Sequence, residues 1–71
     1  MPRYLVTTQR SLRGSAVTAL AAVENEEGVH IVRGDDPDMV TIEMPEKRAS
    51  SLADKLKDTH SVEPEVRRTL H

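Results

Sequence analysis

Cysteine, phenylalanine and tryptophan are all missing from this 71-residue chain, and Tyr4 is its one aromatic residue. Without cysteine there is no disulfide framework and no thiol nucleophile, a composition that fits a reducing compartment. Without further aromatics there are no stacking platforms for nucleic-acid bases. The core has to be assembled from Leu, Val, Ile, Met and Ala. A domain this short buries only about 60% of its unfolded surface, so net stability is expected at or below roughly 3–5 kcal/mol. Long apolar runs are lacking too. No stretch approaches the roughly 20 residues that cross a bilayer, and Met1-Pro2-Arg3-Tyr4 has no apolar signal segment behind its basic residue. The chain as given reads as one soluble domain, cytoplasmic by default, with no membrane partner.

Charge of one sign is absent from the start of the chain: residues 1 to 23 carry three Arg and no acid. Residues 24 to 46 carry eight acids against Arg33, and residues 47 to 71 carry six bases against four acids, for a formal total of −2. A nucleic-acid module would need a clustered positive face. Arg3, Arg10, Arg13, Arg67 and Arg68 are what such a module would use, a third and less favoured reading, and no nucleic-acid partner is expected.

Hydrophobic periodicity gives the elements. Arg3 to Thr8 is rich in β-branched and aromatic residues and reads as a first strand. Leu12, Ala16, Ala19, Leu20 and Val23 make a helical stripe, with Ser11 as candidate N-cap and Gly28 beyond the end. Val29 to Arg33 is a short second strand, and Gly34-Asp35-Asp36-Pro37-Asp38 is dense with turn formers. Met39 to Met44 alternates Val40, Ile42 and Met44 against Thr41 and Glu43, as a strand with one buried face does. Pro45 fits the first position of a second helix, with Ala49, Leu52, Ala53 and Leu56 on its apolar side. Thr59 to Val66 is a last strand, and Pro64, having no N–H, requires it to lie at a sheet edge. The order β-α-β-β-α-β predicts an α+β domain over residues 1–66. Its expected form is a ferredoxin-like, four-stranded antiparallel sheet with both helices on one face, followed by an extended tail over 67–71.

Residues suited to chemistry are few. His30, His60 and His71 lack metal-ligand spacing and read as surface or strand histidines. Asp35, Asp36 and Asp38 lack the closing bidentate Glu of a calcium loop and read as a solvated hairpin turn. The serines have no glycine elbow, and Gly14 and Gly28 form no phosphate loop. No catalytic residue, metal or cofactor is expected, and the working class is a binding module. Its open sheet face is the natural place for a partner. Glu63 and Glu65, two residues apart, project from one face of the edge strand, where carboxylates suit helix N-termini. On spacing alone a solubilising edge that deters strand addition is the better reading.

Arg3-Tyr4-Leu5-Val6 at the start, Gly28-Val29 at the second strand and Val40-Thr41-Ile42-Glu43-Met44 before the second helix recur in a known pattern. With His60-Ser61-Val62-Glu63-Pro64-Glu65 near the end, they give nearly the whole chain a family likeness. The chain resembles the prodomains of subtilisin-like serine proteases and the free-standing inhibitors related to them. The resemblance implies that the uncovered sheet face docks on two parallel surface helices of the protease, with Glu63 and Glu65 capping them. It also implies that Arg68, Thr69, Leu70 and His71 lie in the active-site cleft as a product would, making the domain an inhibitor or a folding chaperone for a subtilisin-like serine protease. Arg68 stands where the family's tails place an apolar residue. Either the cognate protease has an acidic fourth pocket, or the inhibitory role has been lost. A regulatory or assembly domain that homodimerises, or binds a ligand, through the open face is the alternative from a different class.

Overall fold

A computed structural model describes residues 2–65. Four strands, β1 (Arg3–Thr8), β2 (His30–Asp36), β3 (Met39–Glu43) and β4 (His60–Pro64), form one sheet in the order β2-β3-β1-β4, each antiparallel to its neighbour. Two helices, α1 (Ala19–Val23) and α2 (Glu46–Leu56), complete an α+β domain of ferredoxin-like arrangement. The β4 strand is at an edge, as Pro64 requires, and Pro64 stands opposite Tyr4 of β1.

Both helices cover the same face. Tyr4, Val6, Val40 and Ile42 are buried under them together with Ala19, Val23, Met44, Leu52 and Leu56. The alternation that predicted the strands therefore sorts side chains as expected: Tyr4, Val6 and Thr8 point to the core, and Leu5 and Thr7 point away. Leu52 and Leu56 form the buried stripe of α2, with Ala49 packed against the core beside them.

The first helix departs from expectation. The stripe from Leu12 to Val23 predicts one helix capped by Ser11, whereas the chain makes a short 3-10 turn over Arg10–Leu12, then an irregular loop, and only five residues of α-helix. Gly14 takes φ +87°, a left-handed conformation that ends any continuous helix there. Thr18 then starts a new helix by accepting the Ala21 N–H on its hydroxyl at 3.1 Å. Two further N–H groups at this helix end are satisfied from other elements. Ala19 donates to the buried Thr8 hydroxyl at 3.0 Å, and Leu20 donates to the Pro37 carbonyl at 2.8 Å. These bonds tie α1 to the end of β1 and to the β2–β3 turn.

That turn is shorter than its sequence suggests. The strand β2 continues through Gly34, Asp35 and Asp36, and the reversal falls on Pro37 and Asp38, closed by the Asp38 N–H donating to Asp36 Oδ1 at 3.0 Å. Gly34 serves packing instead of turning: Leu20 Cδ1 lies 3.4 Å from where a Cβ would stand. Two irregularities, between Ile31 and Arg33 and between Arg33 and Asp36, absorb the extra residues. Pro45 is the N-cap of α2 and not its first residue, so the helix begins one residue later than expected, at Glu46, and β4 begins at His60 where Thr59 was expected. Val66, the expected end of that strand, lies outside the described residues.

His60 is 2% exposed and bonded through both ring nitrogens. The Val17 carbonyl, 2.9 Å from Nε2, can only accept, so Nε2 carries a proton, and Nδ1 is hydrogen-bonded to the Thr59 hydroxyl at 2.7 Å. The His60 and Thr8 contacts are the polar anchors of the irregular segment. Replacing Thr8 by Val keeps the shape but orphans the buried Ala19 N–H, which costs about 1–3 kcal/mol. In so small a domain this should lower the thermal midpoint by at least about 5 °C. A midpoint within about 1 °C of the parent would contradict the assignment.

Candidate functional site

The uncovered face is made by the outward positions of the four strands, and the register arranges them in rows. Arg33 of β2 stands opposite Thr41 of β3, Thr41 opposite Leu5 of β1, and Leu5 opposite Glu63 of β4, giving the row Arg33–Thr41–Leu5–Glu63. Beside it runs His30–Glu43–Arg3, extended by Glu65, whose N–H donates to the Arg3 carbonyl at 2.9 Å. On the other side runs Asp36–Met39–Thr7–Ser61. Residues paired directly across a ladder share a face, so each row crosses roughly 14 Å of sheet at about 4.8 Å per strand.

Glu63 and Glu65 are thus on the same face, both exposed, at the outer margin of the sheet. Among the described residues neither carboxylate has a hydrogen bond or an ion pair. The other calls on the site, Arg68, Thr69, Leu70 and His71, lie outside the described residues. Arg3 is held by Glu43, with Nε 3.4 Å from Oε2. Arg33, on the opposite edge from Glu63, is exposed and has no ionic partner among the described residues. Arg3, Arg33, Thr41, Val32 and Glu65 surround a shallow depression of about 260 Å³.

Arg33 was not singled out by its sequence context. Its neighbour Val32 breaks the alternation of β2, and only the observed irregularity between Ile31 and Arg33 places the guanidinium on the open face. The face is mixed in character. Val32 and Met39 are its notably exposed large apolar residues, at 38% and 43%, so apolar area alone does not define it.

Electrostatics on the helix side are structural. Glu26, after α1, accepts from Lys55 Nζ at 2.7 Å and from Arg48 Nη2 at 3.2 Å, binding the connection between α1 and β2 to α2. The Lys55 hydrogen bond is the main cause that holds its carboxyl below the ordinary glutamate range. Burial works against this, and the Lys55 and Arg48 charges add to it. A depressed folded-state value contributes stability that is fully present above the ordinary value of 4.5 and is lost as pH falls through the lower folded value. Glu26→Gln should therefore lower stability by about 0.5–1 kcal/mol at neutral pH, a modest figure because both cations are partly exposed. The deficit should shrink on acidification below pH 4.5. Denaturant titrations of both proteins at neutral and acid pH check this; a deficit independent of pH would assign the loss to packing.

Among the described residues no three His, Cys, Asp or Glu side chains come together as a metal-holding group, and no helix is long and apolar enough to cross a membrane. What fold and site define is a ferredoxin-like α+β domain with one uncovered, charged sheet face. Compared with models of protein families, with curated proteins and with solved structures, the chain finds no match.

Proposed function

We propose that the protein is a non-enzymatic binding domain, a subtilisin-prodomain-like inhibitor or folding chaperone that docks its open sheet face on a subtilisin-like serine protease. The observation that carries this reading is the pair of exposed carboxylates, Glu63 and Glu65, on one face of the outer strand and without a hydrogen-bond or ionic partner among the described residues. The sheet order supports it, because it puts β4 at the edge, where a partner's helix ends can reach both acids. Each carboxylate at a helix N-terminus contributes about 0.3–1 kcal/mol when exposed. The residues after Glu65 would then supply a substrate-like strand, Arg68 to His71, held in the cleft by backbone hydrogen bonds. Inhibition lasts as long as the domain stays folded. A domain that opens readily is digested, and the same contacts then act as a temporary template for folding.

Replacing Glu63 and Glu65 together by Ala should speed dissociation from a responsive protease by about 3- to 30-fold, the sum of the two capping terms. Stopped-flow dissociation measures it, and an unchanged rate would leave the acids as solubility residues. Deleting Thr69 to His71 should weaken inhibition on the order of tenfold or more with the thermal midpoint unaltered. Equal inhibition by the shortened chain would exclude the tail mechanism.

A further inference from the structure

The three rows on the open face have a property that none of their residues has alone: the face is its own complement. Consider a two-fold axis parallel to the strands, above the seam between β3 and β1. It exchanges the β2 edge with the β4 edge and leaves height along the strands unchanged. In the row Arg33–Thr41–Leu5–Glu63, Arg33 then lies over the partner's Glu63, and Thr41 over the partner's Leu5. In the next row Glu43 lies over the partner's Arg3, and His30 over the partner's Glu65. In the third, Asp36 lies over the partner's Ser61, and Met39 over the partner's Thr7. Among the residues these three rows place, no position brings like charges together.

We propose that two copies of this chain associate face to face about that axis, forming an isologous dimer in which Arg33 of each copy pairs with the partner's Glu63. Three further observations favour a second copy as occupant. Arg33 and Glu63 are exposed and have no ionic partners within the chain among the described residues, so each charge is free for an intermolecular pair. Edge-to-edge pairing is obstructed on both sides, by Pro64 in β4 and by the irregular β2. Face-to-face packing of aligned sheets about 10 Å apart leaves room for side chains of this length to meet. The footprint is small: four strands of about five residues cover roughly 300 Å². That places the dimer among weak, transient complexes, whose association a dilution series from about 10 µM to about 1 mM spans. This inference does not rest on the protease reading; it concerns the same face, so a protease and a second copy exclude one another.

The test uses the intact chain and two single variants, Arg33→Glu and Glu63→Arg, in sedimentation equilibrium over that concentration range. The parent should associate, and less so in high salt, because exposed pairs are screened. Each variant alone presents like charges at two symmetric places and should associate at least about tenfold more weakly, with the parent's thermal midpoint at dilutions where both are monomeric. An equimolar mixture of the two variants restores opposite charges at both places and should associate as the parent does. A parent that stays monomeric throughout, a single variant that associates like the parent, or a mixture no tighter than the variants alone would each overturn the proposal.

Discussion

Every side chain that this sheet fully buries lies on one of its two faces, and the rest of the molecule follows from that asymmetry. Tyr4, Val6, Val40 and Ile42 meet Ala19, Val23, Leu52 and Leu56 in a single layer of aliphatic packing with one aromatic ring. With about 25 cal/mol available per Å² of apolar surface removed from water, a layer this thin has little surplus over the entropy it must offset. The helices are accordingly held by polar bonds at critical points as well as by burial. The Thr8 hydroxyl, the Pro37 carbonyl and the Thr18 hydroxyl secure three successive N–H groups of α1, and His60 secures the loop before it.

The other face carries what the core does not need. Its outward positions are charged or polar in all but a few places: Glu63 and Glu65 on β4, Asp36 and an Arg33 without an ionic partner among the described residues on β2, and an ion pair, Arg3 with Glu43, between. A partner that binds only the folded state adds its binding free energy to the domain's stability. A protease offering positive helix ends to β4 would supply that support, and so would a second copy offering its β2 edge. On either proposal, covering the open face would add to the stability of a domain whose core is one thin layer.

The parts of this structure that follow from simple periodicity were legible in the sequence. Alternation in Arg3–Thr8 and Met39–Glu43, the Ala49–Leu56 stripe and the edge requirement of Pro64 led to the observed strands, α2 and sheet order. The stripe from Leu12 to Val23 misled, because apolar spacing does not register the left-handed conformation of Gly14 or the capping preference of Thr18, and these two divide the segment. Asp35 and Asp36 have turn chemistry yet sit in β2, where neighbouring irregularities accommodate them. Of the site, Glu63 and Glu65 were visible as alternate acids. Arg33 was not, since its place depends on a register that only pairing with β3 establishes.

On both proposals the uncovered face is the surface through which this domain meets proteins. Amide-shift mapping of the isotope-labelled chain against an active-site-blocked subtilisin-type protease tests it most directly. Signals of Arg3, Leu5, Arg33, Thr41 and Glu63 should shift or broaden while those of α2, such as Leu52 and Asp54, stay in place. Changes concentrated on α2 with the open face silent, or no changes at all, would contradict it.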